Sequence, residues 1–294
     1  MTRRSDRSGA CFMAGNTSKS QLRSTWESAA PGWAKWEQAF SAGLSGGTDM
    51  LIDMAGVRSG MRVLDLACGA GSQSIQAATR VGPSGRVVAS DIAATMLDHV
   101  RRNAAKAGLQ NVEVLECAAA DLDETQSPFD ASICRLGLML FRSPREALRV
   151  VQRVLRPDAR FAALVFTTPA NNPFMAGPMA ILLRHAGKRP PAPGEPGIFA
   201  LGGNGVLETL MKDSGLADVQ TRTVQAPLKL PSASAALEMM QQAFGAYRAV
   251  LADLTDVERS KAWAEVHECL KGFEAGGCFE TAFDLIIGSG AKPS

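Results

Sequence analysis

The chain has 294 residues, 46% of them apolar, which suits one large core with appended segments better than a set of small modules. Lys and Arg total 31 against 29 acidic residues, so the net charge of +2 creates no global field that would favour a polyanion such as nucleic acid. No apolar run reaches membrane-spanning length. The six cysteines lack a Cys-x-x-Cys pair and the three histidines lack metal-ligand spacing, which argues against a disulfide framework and a protein-bound metal.

Residues 1–16 are small and polar and read as a disordered N-terminus. Arg3-Arg4 lacks the apolar stretch of an export signal, so a cytoplasmic location with reduced thiols is expected. Residues 17–56 carry Trp26, Trp33 and Trp36. The run Val63-Leu64-Asp65-Leu66-Ala67-Cys68-Gly69-Ala70-Gly71 then reads as a short strand ending on a carboxylate, followed by a sharp turn into a helix over 72–80. Its glycines let backbone approach a ligand where a Cβ would collide. A dinucleotide loop shares this turn, but it has a third glycine where Ser74 stands, and Asp65 would repel a pyrophosphate. A carboxylate there suits a positively charged ligand, such as the ammonium and sulfonium groups of S-adenosyl-L-methionine (SAM).

A second strand over 86–90 ends on Asp91, an acceptor-only group placed to take both hydroxyls of a ribose. Residues 93–107 present Met96, Val100, Ala104 and Ala107 on one helical face, closed by Gly108. A third strand, 112–117, leads into Ala119-Ala120-Asp121-Leu122, and a fourth, 129–134, into Arg135-Leu136-Gly137. Ser143-Pro144-Arg145-Glu146 has the pattern of a capping box with proline at the first helical position. Its helix feeds a fifth strand over 161–166. Strands resume near 217–223 and 279–287. Strand–helix alternation predicts a parallel sheet with helices on both faces.

The run 63–71 resembles motif I of class I SAM-dependent methyltransferases, an apolar strand followed by D-x-A-x-G-x-G. The stretch from Phe129-Asp130 to Arg153-Val154-Leu155-Arg156-Pro157 resembles the ubiquinone/menaquinone-biosynthesis-type members. One departure is Asp158-Ala159 where a Gly-Gly is usual, read as turn chemistry at the end of the sheet away from the cofactor. The resemblance implies a doubly wound, seven-stranded, mostly parallel Rossmann-like α/β sheet with an antiparallel last strand and a helical cap. It implies SAM as cofactor, with Asp65, Ala67, Gly69, Ala70 and Gly71 at the loop and Asp91 on the ribose. Ile92 and Leu122 would flank the adenine with Asp121 at its amino edge, and Met96, Ala120 and Arg135 complete the set. Residues 17–56 would form a lid, with Trp33 near the sulfonium; docking of these tryptophans in a core is equally compatible with the sequence.

The resulting division is lid 17–56, core 57–167, cap insertion 168–214, core strand 215–230, helical cap 231–274, and last strand with tail 275–294. In the cap, Asn171-Asn172-Pro173-Phe174 reads as a turn into a helix. Ala236, Met240, Phe244, Tyr247 and Leu251 share a face whose edge can line a pocket. His185, Tyr247 and His267 are the candidate general bases. The expected activity is SN2 methyl transfer to oxygen, nitrogen or activated carbon of a small lipophilic acceptor, with neither metal nor nucleic acid involved. A SAM-fold enzyme without methyl transfer and a non-catalytic SAM-binding partner subunit are the alternatives, and a homodimer is allowed for.

Overall fold

The computed structural model describes residues 19–126, 128–192 and 194–294. The expected disordered segment 1–16 lies outside the described residues. The central sheet is built from β1 (Arg62–Leu66), β2 (Arg86–Asp91), β3 (Val112–Glu116), β4 (Phe129–Arg135), β5 (Leu155–Phe166), β6 (Ala217–Leu230) and β8 (Cys278–Ala291). Their order is β3-β2-β1-β4-β5-β8-β6. The first five strands are parallel, and β8 runs antiparallel between β5 and β6, as expected. An eighth strand, β7 (Glu274–Ala275), was not foreseen. It pairs with β8 through Gly276 and Gly277, whose φ of 61° and 83° suit a two-residue hairpin turn.

Helices α2 (Ser72–Val81), α3 (Ala94–Lys106) and α4 (Pro144–Val154) connect the parallel strands. Helices α5 (Pro173–His185), α7 (Ala233–Ala243), α8 (Gly245–Val250) and α9 (Asp256–Lys271) pack on one another, whereas α6 (Val206–Asp213), which the sequence assigned to the same cap, packs against α4, β6 and β8. Ahead of them all runs α1 (Lys19–Met54), one helix of 36 residues. Trp26, Ala30, Trp33, Glu37, Phe40, Leu44, Thr48 and Leu51 recur on it at steps of three and four, so they form one inward stripe. Phe40, Leu44, Leu51 and Ile52 enter the main core. The fit is close. A Cβ on Gly43 would stand 2.0 Å from the Pro227 carbonyl oxygen of β6, and one on Gly32 would stand 2.1 Å from that of Gln242 at the end of α7.

Two local expectations fail. Ser143 makes no side-chain cap, because at φ −132° and ψ 74° its hydroxyl does not reach the first turn. A true capping box occurs instead at Thr255 and Glu258, opening α9. β5 starts at Leu155, ahead of the expected Phe161, because Asp158 adopts φ 63° and carries the chain through the turn without leaving the sheet. Aspartate tolerates this left-handed geometry better than most residues. Asp158 N–H donates to the Lys292 carbonyl at 3.0 Å, at the end of the sheet opposite the glycine loop.

Candidate functional site at the glycine loop

The strand order reverses between β1 and β4, and in open α/β sheets the crevice outside such a switch point takes the ligand. Both strand ends carry a non-glycine residue in left-handed geometry, Ala67 at φ 54° after β1 and Leu136 at φ 60° after β4. Such backbone costs on the order of 1–3 kcal/mol and persists only where its surroundings impose it. Here the two turns meet, since a Cβ on Gly137 would lie 2.8 Å from the Ala67 Cβ.

Gly69 and Gly71 both have positive φ, for different ends. A Cβ on Gly71 would sit 2.7 Å from Val100 of α3, whereas one on Gly69 would meet nothing within 4 Å. Gly71 is therefore a packing and conformational requirement, and Gly69 lies beside open space. Gly71→Ala is expected to destabilise the fold by about 2 kcal/mol or more, combining left-handed strain with overpacking. A urea titration checks it, and unchanged stability would contradict the loop geometry.

Asp91 fastens this loop. One carboxylate oxygen accepts the Gly69 N–H at 2.9 Å and the other accepts Ala93 N–H at 3.0 Å. A carboxylate offers about four acceptor directions, so Asp91 keeps acceptor capacity for a further donor. Burial raises the Asp91 carboxyl above its usual pKa.

Asp65 departs from expectation. It was expected to face the ligand, but it is fully buried beneath the first turn of α2. There the Ser74 hydroxyl donates to one oxygen and the Gln73 amide to the other at 3.4 Å. Ser74, which stands where a dinucleotide loop has glycine, is thus the partner that holds this acid. Desolvation pushes the Asp65 pKa up to about 7.

Arg135 extends from the end of β4, half-buried, and donates to Thr48 Oγ1 of α1 at 3.0 Å and to Ser72 Oγ of α2 at 2.5 Å. Burial lowers its pKa to about 10. Met96 packs with Ala30 and Ala93, flanked by Trp26 and Trp33. The Trp33 ring lies 5.0 Å from Phe40 and 6.0 Å from Phe244, and its buried indole N–H has no partner among the described residues. Trp36 instead donates to Gln242 of α7 at 3.0 Å. Ile92 is half-buried, and Ala120 and Asp121 are exposed on a short turn. Leu122 is buried in the main core, tucked inward.

Two acids on α1 escaped the sequence reading. Glu27 accepts the Ala94 N–H at 2.8 Å and the Thr95 hydroxyl, capping α3 from another helix. Glu37 accepts from Asn103 at 2.7 Å, and the same amide donates to the Ala70 carbonyl of the glycine loop at 3.1 Å. Burial raises the Glu37 pKa. The available signal was that Glu37 and Thr48 are the polar interruptions of an otherwise apolar stripe.

The three base candidates are not brought to the loop. Tyr247 is buried with its hydroxyl donating to the Met175 carbonyl at 2.7 Å, and burial pushes its pKa up. His185 bonds Glu265 at 2.9 Å on the seam of α5 and α9, next to the Arg184–Glu265 pair. His267 is within 3.1 Å of the Ser234 hydroxyl. All three partnerships lie within the group formed by α5, α7, α8 and α9. Asn172 is likewise committed, exchanging bonds with the Asp284 backbone at 2.9 and 3.0 Å. No cluster of three or more metal-ligating side chains occurs among the described residues, and no described helix is long and apolar enough to cross a membrane.

Residues 57–177 match the family model described as a methyltransferase domain. Among curated proteins, the ubiquinone/menaquinone biosynthesis C-methyltransferase UbiE of Hahella chejuensis is 40% identical over 121 residues, 41% of this chain and 49% of that protein. The UbiE of Cellvibrio japonicus is 38% identical over 134 residues, 44% of this chain and 54% of that protein. The chain thus spans about half the length of the curated relatives it matches. Among solved structures, the [4+2]-cyclase SpnF superposes with a TM-score of 0.59 at 17% identity, covering 94% of this chain and 97% of its own. The YcgJ protein of Bacillus subtilis gives 0.55 at 21% identity, covering 85% of this chain and 99% of its own. At such identities these two establish the fold. The sequence matches identify residues 57–177 as a methyltransferase domain similar to that of the UbiE C-methyltransferases, and the fold around it is that of the two solved structures.

Proposed function

We propose that the chain is a cytoplasmic methyltransferase that uses SAM to methylate a small lipophilic acceptor. The observation that carries this is the linkage of Asp91 to the Gly69 amide beneath α1, which sets a carboxylate and an open glycine face at one strand switch point. The residues fit the cofactor in four respects. Asp91 retains acceptor capacity for a ribose, Gly69 borders free space, Arg135 sits at the start of α2, and the Trp33 indole N–H is unpartnered. In this reading Ile92, Met96, Ala120, Asp121 and Leu122 form the adenine side, Ala67 and Ala70 shape the loop, and Asp65 acts through its charge from below. Residues 17–56 serve as the lid.

Bound SAM supplies a methyl group on a sulfonium, a leaving group good enough that no general base has to be built in. The protein's part is alignment and exclusion of water. The α1 stripe closes one side of the crevice, and α7, which bears Met239 and Met240, backs it together with α8. Such walls desolvate a ring or aliphatic body and leave few polar groups to orient it. The name of the UbiE relatives, which specifies carbon methylation in quinone biosynthesis, supports a quinol-like acceptor and transfer to carbon.

The test is incubation with methyl-labelled SAM and a panel of phenols and quinols, following S-adenosylhomocysteine and labelled product. Turnover is expected to survive both EDTA and high salt. Labelling of RNA or DNA with a steep salt dependence, and none of the small acceptors, would overturn the acceptor class. Absence of SAM binding would overturn the whole reading.

A further inference from the structure

We propose that the free edge of β6 is a docking surface for a second copy of this chain. Residues 220–226 of the two copies pair antiparallel about a twofold axis at Thr223, joining both sheets into one.

The two edges of the sheet differ in how they are protected. β3 has 5 residues and carries Glu113 and Glu116, paired with Arg86 and Arg23 respectively. Short length and charge blunt an edge against further pairing. β6 has 14 residues and is hydrogen-bonded only to β8 among the described strands. From 219 to 226 it reads Val-Gln-Thr-Arg-Thr-Val-Gln-Ala, rich in β-branched residues and with a single charge. Gln220, Thr221, Arg222 and Thr223 are all exposed.

The direction of the backbone along this edge follows from its neighbours. Asp284 of β8 stands opposite Gln225, but its N–H donates to the Asn172 side chain at 2.9 Å and its carbonyl accepts the Thr167 N–H at 3.0 Å. Both partners lie on the β5 side. Gln225 therefore has no ladder bond to Asp284 and turns its own N–H and C=O outward. Pro227, two residues on, has no N–H to give a ladder and fits the same outward phase. Thr221 and Thr223 share it. This unpaired row is bounded at both ends. A register shift between Ala217 and Gln220 breaks the strand below, and Pro227 stops pairing above, where Gly43 of α1 comes against its carbonyl.

A dyad at Thr223 uses the whole interval. It sets Thr223 opposite Thr223 and Thr221 opposite Gln225, and each such pair exchanges two hydrogen bonds. A dyad at Arg222 would put that charge directly against its copy. One at Thr221 would run the pairing into the irregular stretch below Gln220. In the Thr223 register each Arg222 faces Val224 and is only diagonal to the other arginine, on exposed surface.

The helices beside β6 leave room for the second copy. A Cβ on Gly47 would be 3.2 Å from Leu164 of β5 and 3.6 Å from Val224 of β6, so α1 lies over β8, the strand between them. On the opposite face α6 also sits over β8, since a Cβ on Gly288 would meet Leu207 and Met211 at 2.9 Å. Both helices are thus one strand in from the edge. At a strand spacing of about 4.8 Å their copies stand about 14 Å apart across the dyad, beyond the roughly 10 Å of touching helices. The edge is its own complement, so the assembly closes at two copies.

Sedimentation over a concentration series reads the mass, and hydrogen exchange reads the edge. The expected result is a dimer with a micromolar dissociation constant, in keeping with a small strand-pair interface. The amides of Thr221, Thr223 and Gln225 gain protection as concentration rises, while those of Arg222 and Val224, which face β8, do not change. Thr223→Lys sets like charges against each other at the dyad and is expected to weaken the dimer about ten-fold or more with a native circular dichroism spectrum. Thr223→Pro removes an outward N–H without touching the β8 ladder and is the second variant, with the same expected loss. A chain that stays monomeric at high concentration overturns the proposal and leaves the edge to a different partner chain. A dimer unchanged in both variants places the interface elsewhere, and masses that grow past two copies refute the twofold pairing.

Discussion

Asp91→Ala is expected to weaken SAM binding by about 3 kcal/mol, a factor of roughly 150, because ribose hydroxyls bonded to a charged acceptor lose it. The structure adds a second loss. The same carboxylate holds the half-buried Gly69 amide and the buried Ala93 amide, so the variant leaves both donors unpaired and the loop loses its fastening. Each orphaned donor costs about 1–3 kcal/mol, and the melting temperature should fall along with affinity. Asp91→Asn separates the effects. Its one remaining carbonyl oxygen can keep a single amide, so stability recovers in part while affinity stays low. Calorimetry on variants with native circular dichroism measures it, and an Asp91→Ala protein that binds SAM normally removes this residue from the site.

Asp65→Asn is expected to act in opposite directions on stability and binding. The Asp65 pKa rises from 3.8 to about 7 in the folded protein because burial penalises the charge. The folded state therefore keeps a proton that the unfolded chain releases. This favourable contribution is complete below about pH 4 and is lost as pH rises through about 7, at up to about 1.4 kcal/mol per pH unit. An amide does not titrate and keeps its bond to Ser74. At pH 8 the ligand-free variant should be more stable than wild type by on the order of 1–3 kcal/mol, with the advantage gone at pH 5. A cation bound above the site loses the charge that attracts it, so SAM affinity at pH 8 should drop. Urea titrations at both pH values and calorimetry at pH 8 test this. A variant less stable than wild type at pH 8 would mean that Arg135 stabilises the ionised carboxylate more than burial opposes it.

Much of the sheet was legible because its signals are local. Val63 to Gly71 announce a strand and a left-handed turn within nine residues, and Asp91 ends a strand marked by the apolar run Val87-Val88-Ala89. What escaped depends on partners distant in sequence. Nothing near Ser74 says that its hydroxyl meets Asp65, and nothing near Glu27 says that it caps a helix beginning at Ala94. The same limit applies to Tyr247 and His185: their residue types suggested catalysis, and only the packing of α5, α8 and α9 reveals the partners that occupy them. Ser143 fails as a cap for the converse reason, since the motif was present and the backbone angles were not.

The segment recognisable by descent and the unit able to fold are different lengths of chain. The family match ends at residue 177 and begins at 57, after α1 has closed. A chain cut to those limits would lack β6 and β8, leaving β5 from Arg160 to Phe166 with bare backbone groups along one edge. It would also lose Phe40, Leu44, Leu51 and Ile52 from the core and expose the surface they cover. An unpaired apolar edge is a template for self-association, so such a fragment should aggregate on expression. Shuffling of this domain between proteins consequently has to carry along the helix before it and the strands after it.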